Sequence, residues 1–171
     1  MRLRSLAGTR LRPTSARVCQ ALFDVLRARL PDAIFVDLFA GTGSVGLTAL
    51  REGARQAYFV EGDRRVLKVL QHNLSRYAVP GRAVLIAARL PEGVRQLPPH
   101  LQADVLFLDP PYASDLGERT LAALATTDVL APGGVVVWQH AADHRVPEAV
   151  LGRPLRLRRR YGETQLSLYA A

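Results

Sequence analysis

The sequence predicts one α/β domain, a doubly wound and mostly parallel sheet of seven strands that ends in an antiparallel hairpin. Three observations lead to this prediction. Short apolar segments alternate along the chain with amphipathic ones, which is typical of parallel strands joined by helices. Right-handed crossovers between such strands place helices on both faces of the sheet. The last two strand-like segments are joined by a very short connection at 160–164, and only antiparallel strands can be joined so tightly.

The length and composition fit a single core. The chain has 171 residues, and 49% of them are hydrophobic, which is enough for one sizeable core. We expect one domain over residues 1–171, in which 1–13 form a short basic arm. No apolar run is long enough to span a bilayer, and the Arg-rich start lacks the apolar stretch of a signal peptide. We therefore expect a soluble, cytoplasmic protein.

The helical segments carry apolar residues at helical spacing. The first begins at Thr14 or Ser15, which can cap it after Pro13, and it runs to about Leu30. The later helices are predicted at 45–52, 64–77, 90–97, 116–126 and 143–151. Gly53 is suited to end the second of them, because glycine readily takes a left-handed conformation.

The strands are short apolar runs between turn residues. They are predicted at 34–39, 57–60, 83–87, 104–108, 135–139, 155–161 and 164–169. Pro132-Gly133-Gly134 is expected to form a turn before the fifth strand. In the sixth, leucines alternate with arginines, which indicates a strand with one wet face.

A glycine-rich loop lies between the first strand and the second helix. Residues 41–46 read Gly-Thr-Gly-Ser-Val-Gly, a spacing that permits a tight turn, close approach of a ligand and close helix–strand packing. Glu61 ends the next strand, where a carboxylate can accept hydrogen bonds from ribose hydroxyls. The pattern alone fits either NAD or S-adenosylmethionine. Asp37 favours the second, because a carboxylate there can attract the methionine ammonium.

A second motif, Asp109-Pro110-Pro111-Tyr112, follows the fourth strand. The two prolines make the turn extended and stiff, since proline has a fixed φ and restricts the residue before it. The turn offers the Asp109 carboxylate and the Pro110 carbonyl as acceptors, with the Tyr112 ring beside them. This arrangement suits a planar substrate with an exocyclic amine, such as a nucleobase turned out of its stack. Stacking needs the ring, so we expect the Tyr112 hydroxyl to matter little.

The charge of the chain indicates a polyanionic partner. Lys and Arg together number 23 against 15 Asp and Glu, a formal net charge of +8. Nearly all of the positive charge is arginine, which pairs with phosphates and stacks on bases. A single cysteine, Cys19, and four histidines without zinc-binding spacing give no reason to expect a metal.

With these motifs placed, the chain resembles the 16S ribosomal RNA guanine-N2 methyltransferases of bacteria, the RsmD family, over nearly its whole length. The resemblance rests on Leu11-Arg12-Pro13-Thr14 leading into Arg17, on 37–46, on Glu61-x-Asp63, on Asn73-Leu74, on 109–112 and on Tyr161-Gly162-Glu163-Thr164. It departs from the family in a shorter basic segment before Arg12 and in Ala87-Ala88-Arg89, where the family carries an acidic residue near the adenine.

The resemblance implies a Rossmann-like class I methyltransferase that uses S-adenosylmethionine. It implies 16S rRNA or the assembling 30S subunit as partner, and we expect a monomer without membrane or metal. The cofactor is assigned to Asp37, Phe39, Gly41, Thr42, Gly43, Gly46, Glu61 and Asp109. Catalysis is assigned to Asp109, Pro110 and Tyr112. RNA contact is assigned to Arg10, Arg12, Thr14, Arg17, Tyr112, Arg156, Arg158 and Arg159.

Two other functions stay open from the sequence alone. The same turn serves other amine methyltransferases, which act on adenine N6 in nucleic acid or on glutamine in protein. A non-catalytic RNA-binding assembly factor with this fold is the alternative from another class, although Asp37, Glu61 and Asp109 together argue against it.

Overall fold

The protein is described by a computed structural model that covers residues 3–5, 16–112 and 114–171. The strands are β1 (Ile34–Leu38), β2 (Gln56–Glu61), β3 (Ala83–Ala87), β4 (Ala103–Leu108), β5 (Leu130–Ala141), β6 (Ala149–Val150), β7 (Arg153–Tyr161) and β8 (Thr164–Tyr169). The helices are α1 (Ala16–Leu26), α2 (Ser44–Arg51), α3 (Arg64–Tyr77) and α4 (Leu116–Leu124), with 3-10 turns at Arg27–Arg29 and Glu92–Gln96.

The strands form one sheet in the order β3-β2-β1-β4-β5-β8-β7-β6. The first five are parallel to their neighbours, and β8 and β7 run antiparallel. This confirms the predicted α/β fold with its closing hairpin. The chain winds outward from β1 through β3, then returns to start again at β4 beside β1. Ligands bind at such a switch point, beyond the carboxyl ends of the strands.

Two apolar layers cover the sheet. On the side that we call the α1 face, α1 and α2 pack on β-strand residues through Leu22, Leu26, Phe35, Phe59 and Val137. On the opposite side, the α4 face, the core contains Leu106, Leu121, Trp138 and Tyr169. Phe35, Phe59, Leu106 and Leu26 are fully buried. The layer to which a side chain of β5, β7 or β8 belongs shows whether it lies on the α1 face or on the α4 face.

The strand count and one helix were predicted wrongly. The sheet has eight strands, because Ala149–Val150 pairs with the start of β7. No helix forms over the predicted 143–151. Pro147 explains this, since it donates no backbone hydrogen bond and turns Val146 away from helical angles.

Other element ends differ from the prediction. β5 begins at Leu130, so Pro132-Gly133-Gly134 lies within the strand, next to a register irregularity between Ala103 and Val105 of β4. The predicted helix at 90–97 is a 3-10 turn. The first helix changes to a 3-10 turn after Leu26, and its predicted cap at Thr14 or Ser15 lies outside the described residues.

A bulge at Arg156 changes the faces of β7. Pairing with β8 shifts in register between Leu155 and Leu157. An inserted residue reverses the alternation of side chains, so Leu155 packs on the α4 face and Leu157 on the α1 face. The predicted pattern of leucines on one face and arginines on the other therefore does not hold along the strand.

None of the helices in the described part of the chain combines the length and the apolar character that crossing a membrane requires.

Candidate active site

Three carboxylates meet where the chain changes direction across the sheet. Asp37 lies near the end of β1, Glu61 ends β2, and Asp109 follows β4. These strands are adjacent, in the order β2-β1-β4. The sequence assigned all three to the site, and the topology brings them to one edge. Their mutual repulsion suits a site that receives a cation.

Asp37 is the most buried of the three, with 2% of its surface exposed. Its Oδ2 accepts a hydrogen bond of 2.9 Å from the Gly46 amide. Burial, together with the charges of Asp109 and Glu61, raises the pKa of Asp37 to about 7, although this hydrogen bond acts to lower it. A positive charge placed at this edge would favour the ionised carboxylate.

Glu61 holds two pieces of backbone at once. Its Oε2 accepts from the Gly41 amide at 3.0 Å, and its Oε1 accepts from the amides of Gly62 and Asp63, both at 2.8 Å. A carboxylate has about four acceptor positions, so three are used by the chain itself. Glu61 thus ties the glycine loop to the end of β2, and retains acceptor capacity for a ligand.

The glycine loop needs glycine for two different reasons. Gly41 and Gly43 take φ values of +55° and +82°, the left-handed region that favours glycine. At Gly46 a Cβ would collide with the ring of Phe59, so only glycine lets α2 approach β2. Phe39 also has a positive φ, +71°, an uncommon value for a bulky residue and one that clusters at functional sites.

Asn73 on α3 fixes the other side of this loop. Its Nδ2 donates to the carbonyl of Thr42 at 2.9 Å and to that of Arg4 at 3.1 Å, and its Oδ1 accepts from the Arg4 amide at 3.0 Å. The residue is fully buried. The sequence analysis assigned Asn73 no role, although a polar residue on the apolar face of an amphipathic helix was the available signal.

The Asp-Pro-Pro-Tyr turn is packed against α4. Gly117 of α4 allows this close packing, because a Cβ there would lie 2.5 Å from Trp138 Cζ2 and 3.2 Å from Pro110 Cγ. Pro110 is buried, while Pro111 is exposed and accepts a hydrogen bond of 2.7 Å from Ser114 Oγ. The turn is thus anchored by its first proline beside Asp109.

The Tyr112 side chain is 41% exposed, and its hydroxyl has two partners on other strands. It lies 2.8 Å from Thr164 Oγ1 of β8 and accepts from Gln139 Nε2 of β5 at 3.4 Å. The sequence linked Thr164 to a family motif without a role and did not single out Gln139. Nothing in local spacing connects residues 52 positions apart, so this contact comes from the tertiary fold.

The arginines assigned to RNA do not form one cluster. Arg159 follows Leu157 on the α1 face and borders an apolar groove with Leu22 and Val137. Arg158 lies on the other face, where it pairs with Glu148 at 3.0 Å. Arg156, at the bulge, donates to the Ala170 carbonyl at 3.3 Å.

The first turn of α1 carries another of the assigned arginines, Arg17, which is exposed. α1 packs on the α1 face of the sheet through Val18 and Leu22, so Arg17 belongs to the same side of the sheet as Arg159. Arg10, Arg12 and Thr14 lie outside the described residues.

Two further observations bear on ligands. Within the described part of the chain, no group of three or more His, Cys, Asp or Glu side chains is arranged to hold a metal. After β3, the segment that departs from the family pattern lies close to the end of β2, and a Cβ on Gly62 would be 2.8 Å from the Arg89 Cα. Ala87 and Arg89 are exposed there, so this side of the site presents backbone and an arginine instead of a carboxylate.

Comparison with known proteins gives consistent relatives. The small-subunit ribosomal RNA methyltransferase D of Escherichia coli is 30% identical over 159 residues, 93% of this chain and 79% of the relative. Its Haemophilus influenzae counterpart is 32% identical over 134 residues, 78% and 69% of the two chains. A Thermus thermophilus structure described as a hypothetical protein is 34% identical, has a TM-score of 0.80, and covers 100% of this chain and 94% of its own.

A family model described as "Conserved hypothetical protein 95" matches residues 1–170. This match spans the glycine loop, the three carboxylates and the Asp-Pro-Pro-Tyr turn together. The protein therefore belongs to the family that this model describes, the RsmD family.

Proposed function

We propose that the protein transfers a methyl group from S-adenosylmethionine to the exocyclic N2 amine of a guanine in 16S ribosomal RNA. Membership in the RsmD family supports an S-adenosylmethionine-dependent rRNA methyltransferase. The strongest support is that Asp37, Glu61 and Asp109 lie together beside the rigid Asp-Pro-Pro-Tyr turn, which carries the aromatic ring of Tyr112. That arrangement offers a cation site and an amine site side by side.

The residues at the edge of β1 and β2 fit this cofactor. The buried Asp37 carboxylate, with its raised pKa, suits the cationic methionine end. The remaining acceptor capacity of Glu61 suits the ribose hydroxyls, and Gly41, where a Cβ would have no heavy atom closer than 3.9 Å, leaves room beside the loop. When bound, S-adenosylmethionine supplies an electrophilic methyl group on its sulfonium.

Asp109 and the Pro110 carbonyl are proposed to hold the acceptor amine. The lone pair of a guanine amine is delocalised into the ring, and hydrogen bonds to two acceptors favour the pyramidal geometry in which it is available. Positive charge develops on nitrogen as the new bond forms. Asp109 stabilises that charge and is placed to accept the proton. Tyr112 stacks on the guanine ring.

Among the arginines, we propose Arg17 and Arg159 as the RNA contacts nearest the site. Both belong to the α1 face, and Arg159 of β7 pairs in register with Leu166, which pairs with Gln139 beside Tyr112. Arg158 and Arg156 have protein partners elsewhere. We further propose that the protein acts as a monomer, with the assembling 30S subunit or 16S rRNA as its partner.

The test is a digest of the methylated product. Purified protein, labelled S-adenosylmethionine and either 16S rRNA or 30S particles lacking the modification are incubated, and the nucleosides are separated by mass. Label in N2-methylguanosine supports the proposal. Label in N6-methyladenosine or in protein would replace it with another amine methyltransferase. RNA binding without any transfer would indicate a non-catalytic assembly factor.

A further inference from the structure

The Tyr112 ring projects from an exposed turn, yet its hydroxyl is tied to two positions of the sheet. Its partners are Thr164 Oγ1, at 2.8 Å, and Gln139 Nε2, at 3.4 Å. Thr164 begins β8 and pairs in register with Ala141, two residues after Gln139 on β5. In an antiparallel pair such diagonal neighbours lie on the same face. The hydroxyl therefore bridges the turn after β4 to both strands beyond it.

The Tyr112 oxygen takes part in two hydrogen bonds at once. A tyrosine hydroxyl has one donor and two acceptor positions. Gln139 donates to the Tyr112 oxygen, and either hydroxyl of the Tyr112–Thr164 pair can donate in the bond between them. Gln139 is 4% exposed, and its carboxamide has no other hydrogen-bond partner among the described residues. The Gln139 oxygen is buried without a partner in the described part of the chain, and such a group costs free energy, so packing alone does not favour a glutamine here.

The two sides of this contact differ in how firmly the fold holds their side chains. Gln139 and Thr164 belong to paired strands, whereas Tyr112 extends from a turn and, without its hydroxyl contacts, would sample other rotamers. A ring that must stack on a base loses that freedom on binding. A ring already held by the sheet has lost it in advance, so the contact pre-organises the stacking surface.

We propose that Thr164 and Gln139 are positioning residues that hold the Tyr112 ring in place for the acceptor base. This inference rests on the proposed function, and it gives the tyrosine hydroxyl a role that the sequence alone led us to discount. It also gives the Tyr-Gly-x-Thr segment at 161–164 a purpose, namely to bring a hydroxyl to the far side of the active-site turn.

The experiment compares Thr164→Val with Thr164→Ser. Valine keeps the β-branched shape that suits a strand but removes the hydroxyl, whereas serine keeps the hydroxyl. The single-turnover methylation rate at saturating S-adenosylmethionine should fall about 2- to 10-fold in Thr164→Val, the range expected for one net hydrogen bond. Thr164→Ser should keep most of the wild-type rate. Cofactor affinity, measured by calorimetry, should be the same in all three proteins.

A double-mutant cycle with Tyr112→Phe isolates the contact. If the hydroxyl acts through Thr164, Tyr112→Phe should lose at least as much rate as Thr164→Val, and the double variant should be no slower than Tyr112→Phe. A wild-type rate in Thr164→Val, additive losses in the double variant, or equal losses in valine and serine would each overturn the inference.

These outcomes are separate from the failure of the proposed function. If Asp109→Ala abolishes transfer while Thr164→Val is unaffected, the methyltransferase assignment stands and the positioning role is refuted. If Asp109→Ala is fully active, the proposed site itself is wrong, whatever the Thr164 variants do.

Discussion

Replacing Glu61 with glutamine should disturb the glycine loop as well as the cofactor. The carboxylate accepts three backbone amides, with Gly41 on one oxygen and Gly62 and Asp63 on the other. Glutamine has the same shape but only one oxygen. Its best orientation keeps the oxygen toward Gly62 and Asp63, which turns its NH2 group against the Gly41 N–H. One backbone donor of the loop then loses its acceptor and faces another donor.

The magnitude follows from this one lost acceptor. Leaving a partly buried amide unpaired costs about 1–3 kcal/mol, and each 1.4 kcal/mol corresponds to about a tenfold change in affinity. S-adenosylmethionine should therefore bind about 5- to 150-fold more weakly to Glu61→Gln. Glu61→Ala should lose at least as much, because it releases all three amides.

Isothermal titration calorimetry measures this affinity directly. The matched control is Glu92→Gln, the same chemical change at an exposed carboxylate whose nearest cation, on Arg119, is 3.8 Å away. The control should bind as the wild type does. Wild-type affinity in Glu61→Gln, or binding of NAD in place of S-adenosylmethionine, would show that Glu61 does not organise a site for this cofactor.

Three further predictions concern burial, the loop clamp and RNA. Because the pKa of Asp37 is raised from 3.8 to about 7, its ionisation opposes folding and lowers the free energy of unfolding as pH rises from about 4 to about 7. The melting temperature of Asp37→Asn relative to wild type should therefore be higher at pH 8 than at pH 4, and an equal difference at both pH values would contradict this. Asn73→Ala should lower the free energy of unfolding in urea by about 1–3 kcal/mol and weaken cofactor binding, since the Thr42 and Arg4 groups lose their partner; unchanged values for both would show that the clamp is dispensable. Arg159→Gln should reduce the slope of log RNA affinity against log salt concentration by about 0.7, the value for one lost phosphate contact in single-stranded RNA. Arg158→Gln, on the opposite face, should leave this slope unchanged. The reverse pattern would place the RNA on the α4 face.

The local sequence pattern was sufficient to predict the bounds of elements in which a single hydrophobic periodicity dominates. The bounds predicted for α3 and β3 match the structure, because α3 has a clear apolar face and a capping residue, Asp63, whose side chain accepts from the amides of Arg65 and Val66. The prediction failed where tertiary pairing overrides local preference. Residues 149–150 become a strand because the start of β7 lies beside them.

The site shows the same division. That Asp37, Glu61 and Asp109 lie at one edge could be predicted from sequence, since each lies near or just beyond the end of an apolar strand and parallel strands end at a common edge. The bulge at Arg156 could not, and it places Leu155 and Leu157 on opposite faces of the sheet. The Tyr112–Thr164 contact also requires the closing hairpin to return beside β5, which no spacing in the chain encodes.

The proposed role of Asp109 in methyl transfer is tested most directly by single-turnover methylation of 16S rRNA or 30S particles with Asp109→Ala. The readout is label transfer to guanine N2. Loss of one pre-organised electrostatic contact typically costs about 2.7–4 kcal/mol, so the rate should fall about 100-fold or more. Cofactor affinity should change much less than the rate, because Asp37, Glu61 and the glycine loop remain. Asp115→Ala, at an exposed carboxylate before α4, is the matched control and should keep the wild-type rate. A wild-type rate in Asp109→Ala would mean that the chemistry occurs somewhere else.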